Sequence, residues 1–234
     1  MTRPSSPASA SSRWTVAERL AAEWNLQLVG IPGFLGLFFG AYFLLLRFPL
    51  FPVTTIPLTA WDRWIPFQPA ALGLYFSLWV YVSLEPSLAV TRGELGRFLK
   101  SAAALAVGGL AFFFFWPTAT PVPADIVWAD HPGFVFLKEV DRAQNACPSL
   151  HVAFAVFAFL RLRPLLSTLG AGFWLRVVSG LWCVGIIYST LATRQHVLID
   201  VAAGAVLGVI AARFSLRKRR YEFQREALAR ADRI

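Results

Sequence analysis

Six runs of apolar residues follow one another along the chain, separated by shorter polar connections. They cover about residues 27–47, 69–89, 101–117, 148–160, 172–191 and 197–213. A helix of about 20 apolar residues is long enough to cross the hydrocarbon core of a bilayer. The pattern therefore predicts an all-α, polytopic integral membrane protein with six transmembrane helices in one bundle.

The two ends of the chain differ from this apolar region. Residues 1–26 begin with a Ser-, Pro- and Ala-rich stretch typical of disorder, and residues 14–25 have the pattern of a short amphipathic surface helix. Residues 214–234 are basic and favour an anionic membrane surface. We expect a disordered or amphipathic N-terminal segment (1–26), a six-span domain (27–213) and a basic tail (214–234).

The composition agrees with a membrane protein. Of the 234 residues, 57% are hydrophobic and only 15% are charged, which is too apolar for an ordinary soluble domain. The net charge of +9 does not indicate a nucleic-acid partner, because no basic patch carries interleaved aromatic residues. Membrane lipids are the expected partners, and the sequence indicates no particular oligomeric state.

The basic residues are unequally divided between the two sides of the predicted bundle. With six spans both termini lie on one side, and seventeen of the 22 Lys and Arg residues fall there. The positive-inside rule places that side in the cytoplasm. We expect a plasma-membrane protein, of a bacterial inner membrane, with cytoplasmic termini. Glu85 and Arg161 would then lie at the cytoplasmic interface, where the long Arg side chain can snorkel.

The stretch from Ser189 to Gly204 carries the first candidate chemistry. His196 and Asp200 are four residues apart where a polar turn enters the last apolar run, so their side chains share one helix face. An ionisable residue inside an apolar run is costly and usually has a partner and a function. A carboxylate bonded to one ring nitrogen of His196 would leave the other nitrogen free to attack or to take a proton.

A second stretch, Asn145 to Phe154, complements the first. Pro148 suits a first helical turn, which would place Ser149 and His151 beside the free N–H groups at the start of the fourth span. With six spans both histidine-bearing stretches open on the outer, periplasmic side. Two histidines at two helix N-termini, with basic residues nearby, point to phosphate chemistry at that membrane surface.

These residues resemble a known family. PSLH at 148–151, followed by S-x6-H-x3-D at Ser189, His196 and Asp200, is similar to the second and third motifs of the phosphatidic acid phosphatase type II superfamily. The fuller forms N-x-x-PSLHVA and ST…QH-x3-D-x3-G resemble the branch that contains inositol phosphorylceramide synthase. The resemblance covers roughly residues 55–210 and is strongest over 145–204.

The resemblance implies a role for each matching residue. His196 would be the nucleophile that forms a phosphohistidine, and Asp200 would orient it. His151 would protonate the leaving oxygen and then activate water or an acceptor alcohol. Ser149, Ser189 and the helix N–H groups would bind the phosphoryl oxygens.

Two departures from the family pattern concern phosphate-binding cations. The first motif, Lys-x6-Arg-Pro, is absent, and Ser189 is followed by Thr190 where the family has Arg. We hypothesise that Arg194, and Lys138 or Arg142 in the long connection 118–147, replace the missing cations. We also expect this connection to fold over the phosphate.

The predicted function is hydrolysis of a lipid-linked phosphate or diphosphate ester at the outer membrane face. One alternative is phosphotransfer to a second lipid alcohol, and another is a non-catalytic transporter or scaffold with a buried His/Asp pair. We expect no cofactor and no metal, since no Cys/His cluster has ligand spacing.

Overall fold

A computed structural model describes residues 14–121, 126–140 and 145–231. The described chain is mostly helical, with one pair of two-residue strands. The strands are β1 (Thr54–Thr55) and β2 (Thr118–Ala119). The helices are α1 (Val16–Ala22), α2 (Trp24–Arg47), α3 (Ala60–Trp64), α4 (Leu72–Phe76), α5 (Leu78–Ser87), α6 (Arg92–Phe115), α7 (Pro132–Val140), α8 (Leu150–Thr168), α9 (Phe173–Ala192) and α10 (Leu198–Ala231), with 3₁₀ turns at Pro69–Ala71 and Trp128–Asp130.

Five helices of the described chain are long and apolar enough to cross a membrane, namely α2, α6, α8, α9 and the 198–217 part of α10. The predicted second span, 69–89, is instead two short helices, α4 and α5, that meet at Ser77. The Ser77 hydroxyl donates to the carbonyl of Leu74 at 2.6 Å and accepts the indole N–H of Trp182 at 2.8 Å. A hydroxyl that bonds to its own helix in this way commonly bends it.

Three further boundaries differ from the sequence pattern, and one of them is the end of α8, which lies at Thr168 rather than near residue 160. Helix α6 begins at Arg92 rather than near residue 101, because Thr91 caps the N–H of Glu94 and the Glu94 carboxylate accepts the N–H of Val90. Helix α10 continues through residue 213 to Ala231, so the expected basic tail extends the last span as one helix.

Helix α8 lies at the centre of the molecule and packs against α5, α6, α9 and α10. Its closest neighbour is α10. A Cβ atom at Gly204 would lie 2.3 Å from the carbonyl oxygen of Ser149, and one at Gly208 would lie 2.4 Å from that of Ala153. These two glycines therefore let the backbones of α8 and α10 touch, as small residues do between membrane helices.

The connections at one end of the bundle, which we call the histidine end, are tied together. Strands β1 and β2 pair in parallel, with Thr54 opposite Thr118. The Thr118 hydroxyl and carbonyl accept the backbone N–H groups of Cys147 and Ala146 at 2.8 and 3.1 Å. The strand pair therefore fixes the loop that enters α8.

Inside the opposite end, Glu85 and Arg161 form an ion pair that the sequence did not predict. The Arg161 side chain is only 5% exposed, and its Nε donates to the Glu85 carboxylate at 2.7 Å. Arg161 lies on the face of α8 that points toward α5 and α10, where its guanidinium contacts Glu85 and Ser215. An interior partner is then the favourable arrangement.

Candidate active site

His196 lies just before the first turn of α10, where the chain leaves the turn after α9. Its Nδ1 is 2.9 Å from Oδ2 of Asp200, as the four-residue spacing predicts. The other carboxylate oxygen, Oδ1, accepts the N–H groups of Val197 and Val201 at 2.8 and 3.0 Å. Asp200 is fully buried, and three donors satisfy it. The carboxylate thus holds the proton of His196 on Nδ1 and leaves a lone pair on Nε2.

Ser149 joins this pair to α8. It is the N-cap of α8, since its hydroxyl oxygen accepts the N–H of Val152 at 3.3 Å. Its own N–H donates to the backbone carbonyl of Asp200 at 3.0 Å. Pro148 lies before this cap rather than in the first helical turn, which differs from the expectation. The result is that the N-terminal ends of α8 and α10 are bonded directly to each other.

His151 follows in the first turn of α8 and is held from the side of α4. Its Nε2 lies 2.9 Å from the carbonyl oxygen of Tyr75, and its ring stacks on the Tyr75 ring at 3.9 Å between centroids. Tyr75 lies in α4, two residues before the break at Ser77. A carbonyl can only accept, so Nε2 carries the proton and Nδ1 is the position that exchanges a proton with a ligand.

The two histidines line one cavity of about 360 Å³. Apart from these rings and Asn145, its walls are apolar, and ten of its sixteen lining residues are Phe, Tyr or Trp. Phe136 and Leu137 of α7 contribute to the wall, so part of the 118–147 connection does cover the site. The volume lies within the usual range of small-molecule sites. A ligand here would meet both imidazoles and an aromatic chamber.

Both motifs, and all the cavity residues except those of α2, fall within one family match. Residues 71–214, more than half of the chain, match the family model described as PAP2 superfamily. This chain belongs to the PAP2 superfamily. No curated protein and no solved structure matches it. Membership supports an enzyme of the phosphatase or phosphotransferase kind, and the apolar helices support a membrane protein.

Two of the cations expected to complete the phosphate site, Arg194 and Lys138, lie beside the cavity and do not line it. Arg194 adopts a positive φ of 56° in the turn before His196, and its Nη1 donates to the backbone carbonyl of Asp62 at 2.7 Å. That bond uses one of its five N–H donors. Lys138 of α7 lies 4.8 Å from the centroid of the Trp128 ring, and its Nζ is 3.5 Å from Oε1 of Gln195. Both cations therefore flank the turn that carries His196, outside the aromatic cavity.

The other two residues that the sequence predicts to bind phosphate are Ser189 and Arg142. Ser189 is fully buried within α9, and its hydroxyl donates to the carbonyl of Ile186 at 2.6 Å. It therefore does not line the cavity. Arg142 lies outside the described residues.

Sequence reasoning missed Asp62, which supports the site from α3. One of its carboxylate oxygens accepts the N–H of Leu198 at 2.8 Å, and the other accepts both the N–H and the hydroxyl of Thr59 at 2.7 Å. Asp62 is buried, and its carbonyl is the acceptor for Arg194. Residues 60–67 (AWDRWIPF) contain one indication of this role, a carboxylate among aromatic residues typical of a membrane interface. The backbone N–H that this carboxylate accepts belongs to Leu198, more than a hundred residues later.

Proposed function

We propose that this PAP2 protein is a lipid-phosphate phosphatase that hydrolyses a phosphate or diphosphate ester at the outer membrane face through a phosphohistidine. The observation that carries the proposal is that His196, held by Asp200, and His151, held by Tyr75, line the same apolar cavity. The described residues contain no cluster of His, Cys, Asp or Glu with the arrangement of a metal site. The proposed steps use side chains alone.

In the first step, Nε2 of His196 attacks phosphorus and the bond from phosphorus to the lipid oxygen breaks. Protonated His151 gives the proton on Nδ1 to that oxygen, which leaves as the lipid alcohol. Asp200 stabilises the positive charge that develops on the His196 ring through the bond at Nδ1. The products of this step are the free alcohol and a phosphohistidine.

In the second step, neutral His151 takes a proton from water at Nδ1, and the resulting hydroxide attacks phosphorus. The bond between phosphorus and Nε2 breaks, which releases inorganic phosphate and restores both histidines. One residue thus acts as acid and then as base, as the reversal of its protonation state requires.

The phosphoryl oxygens would be bound at the joined N-termini of α8 and α10. The Ser149 hydroxyl accepts from Val152 and keeps its own proton for a phosphoryl oxygen, although Ser149, like Ser189, is fully buried and does not line the cavity. The first N–H groups of the 19-residue helix α8 add a favourable dipole. Arg194 and Lys138 would supply positive charge from either side of the turn that carries His196, and Arg142 remains the third cation predicted for this role.

The aromatic walls support a hydrocarbon chain as the rest of the substrate. Phe38, Phe39 and Phe43 of α2 form one side of the cavity, and Trp79 and Phe154 of α5 and α8 form another. Such a chamber desolvates an acyl or isoprenyl chain next to its phosphate. We infer that α4 and α5 together serve as the sixth crossing, which would put the termini in the cytoplasm and this cavity at the outer face.

Phosphotransfer to a lipid alcohol is the second candidate. The cavity is apolar up to both imidazoles, so an alcohol with a hydrocarbon chain could occupy the place of the attacking water. The inositol phosphorylceramide synthase-like forms of the two motifs support the same candidate.

The test is phosphate release by detergent-purified protein in EDTA. The substrates are phosphatidic acid, phosphatidylglycerol phosphate, and isoprenyl phosphate and diphosphate, with and without ceramide or diacylglycerol as acceptor. We expect release that His196→Ala abolishes. Arg194→Ala should lower kcat/KM about 100-fold if the guanidinium binds phosphate, as for the loss of one donor to a developing charge. The control is Arg63→Ala, which removes an exposed cation of α3.

The outcomes separate the candidates. A new phospholipid that forms only with the acceptor, without free phosphate, would favour the transferase. Unchanged kinetics of Arg194→Ala would remove Arg194 from the phosphate site. No product of either kind from any lipid would contradict an enzyme and favour a transporter or scaffold.

A further inference from the structure

A second cavity lies at the end of the bundle opposite the histidines. Its volume is about 590 Å³, and it opens between α6, α8 and α10 with α1 at its rim. Arg161, which lines it, lies ten residues after His151, or about 15 Å along α8 at the usual helical rise. The two cavities share no lining residue. This chamber is therefore distinct from the candidate active site.

The two acidic residues of this cavity, Glu85 and Glu94, have hydrogen-bond partners within the protein. Glu85 forms two hydrogen bonds with Arg161, through Nε and Nη2. The Nη1 of Arg161 donates to Ser215, whose hydroxyl lies 2.8 Å from that of Ser101. The Glu94 carboxylate accepts the N–H of Val90 at the start of α6. Both carboxylates therefore have partners that hold them away from a cation at the mouth.

The basic residues exceed the acidic ones by two. Four cations, Arg19, Arg97, Lys100 and Arg161, line the cavity together with the two carboxylates. Arg97 and Lys100 lie one turn apart on α6 and are exposed, and neither forms an ion pair within the described chain. Arg19, only 2% exposed, donates from Nη1 to the carbonyl of Leu88 at 3.2 Å and adds charge beneath them. The mouth of the cavity thus has a positive potential.

The walls beyond this mouth are apolar. They are built from Leu105 on α6, Leu165 on α8, and Leu207, Ile210 and Phe214 on α10. All three helices are long and apolar enough to span a bilayer. A ligand that satisfies the whole chamber has an anionic head at Arg97 and Lys100 and a hydrocarbon chain along these walls.

We propose that this chamber binds one anionic phospholipid, with the headgroup phosphate at Arg97 and Lys100 and an acyl chain between α6 and α10. With the termini in the cytoplasm, as the basic residues require, the mouth faces the anionic inner leaflet. The binding site is independent of the catalytic reaction. The proposal rests only on the basic residues at the mouth, the apolar walls and the expected orientation in the membrane.

The test is native mass spectrometry of the full-length protein released from detergent with added phosphatidylglycerol or phosphatidylcholine. His196→Ala is used as the background so that no lipid is turned over. The test variant is R97Q/K100Q. The matched control is R163Q/R213Q, which removes two exposed cations from the same end that do not line the cavity. A third variant, Ala104→Phe, narrows the chamber at an exposed position of its wall without a change of charge.

We expect one phosphatidylglycerol to bind more tightly than phosphatidylcholine. Each basic side chain near an anionic lipid contributes about fivefold in affinity, so R97Q/K100Q should bind roughly 25-fold more weakly. The control should keep its affinity, and Ala104→Phe should lose affinity for the lipid. Addition of inorganic phosphate should not displace the lipid, because phosphate alone cannot use the apolar walls.

Three results would overturn the proposal. If R163Q/R213Q lost as much affinity for phosphatidylglycerol as R97Q/K100Q, binding would depend on general surface electrostatics rather than on this cavity. Equal affinity of the protein for phosphatidylcholine and phosphatidylglycerol would show that the headgroup charge plays no role in binding. Displacement by inorganic phosphate at similar concentration would show a site for the free anion. None of these results depends on whether His196 is a nucleophile.

Discussion

At the scale of single residues, Asp62 shows how a short helix distant in sequence can fix the turn that carries His196. Its carboxylate accepts the N–H of Leu198 at the start of α10, and its carbonyl accepts a hydrogen bond from Arg194. His196 lies between these two residues in the chain. The position of the proposed nucleophile therefore depends on α3 as well as on its own helix.

Replacement of Asp62 by Ala tests this dependence. The N–H of Leu198 would lose its acceptor, and an unsatisfied N–H in a partly buried site costs about 1–3 kcal/mol. We expect a lower thermal midpoint and a fall in kcat larger than the change in KM, because the His196 turn loses its support. Arg63→Ala, its exposed neighbour on α3, is the control. Identical kinetics for both variants would contradict a supporting role for Asp62.

The sequence predicted some of these contacts and not others, for a physical reason. The bond from His196 to Asp200 joins two residues four positions apart and is present as predicted, although His196 lies just before α10 rather than within it. The bond from His151 to Tyr75 joins a side chain to a backbone carbonyl 76 positions away, and any residue type supplies a carbonyl. Asp62 was missed for the same reason, since its partner is the backbone of Leu198. Local periodicity predicts neighbours within an element, whereas backbone partners depend on tertiary packing.

At the scale of the helices, the contact between α8 and α10 brings the two motifs together. Gly204 lies against Ser149 with no room for a side chain. The same contact contains the bond from the N–H of Ser149 to the carbonyl of Asp200. The N-terminal end of α8, where we propose that phosphate binds, and the His196–Asp200 pair therefore share one backbone interface.

Gly204→Ala should separate these helices. The added Cβ would lie 2.3 Å from a backbone oxygen, so the helices must move apart, and such overpacking costs about 1–3 kcal/mol. We expect phosphate release to fall at least tenfold along with the thermal midpoint. Gly40→Ala is the matched control, since no atom lies within 4 Å of its added Cβ on the exposed face of α2. Equal activity of the two variants would refute the close-contact argument.

The helix boundaries show what apolar length does and does not predict. The long runs predicted α2, α8 and α9 to within a few residues at most ends, because length and hydropathy suffice for a spanning helix. The apolar run 69–89 did not predict the break at Ser77. At this break the Ser77 hydroxyl accepts a hydrogen bond from the indole N–H of Trp182, on another helix. The polar first turn of α6 was excluded from its span because its cap, not its hydropathy, makes it helical.

At the scale of the whole molecule, the two ends of the bundle carry opposite kinds of chemistry. The histidine end has an aromatic cavity that is lined by residues of α2, α4, α5, α6, α7 and α8 together with Asn145 and His196. The opposite end has a cationic chamber that is lined by residues of α1, α5, α6, α8 and α10. This polarity agrees with the orientation that the basic residues predict.

Cysteine labelling tests the orientation. Both native thiols are buried, and burial raises the pKa of Cys147 to about 11, so at pH 7.5 its thiol is neutral and reacts slowly with maleimide. We expect Arg63→Cys, at the histidine end, to react with an impermeant maleimide in spheroplasts. Arg92→Cys, exposed at the opposite end, should react only after the membrane is permeabilised. The reverse pattern would place the active site on the cytoplasmic face.

The backbone contact at Gly204 and Gly208 has a consequence for how the protein meets different membranes. Helices that touch without intervening side chains tilt as one body when bilayer thickness changes. The Ser149–Asp200 bond lies inside that body, so the spacing between the proposed phosphate-binding end of α8 and the proposed nucleophile is set by the polypeptide and not by the length of the surrounding acyl chains. We expect the outer helices to absorb hydrophobic mismatch, above all α2, most of whose surface is not covered by the rest of the protein.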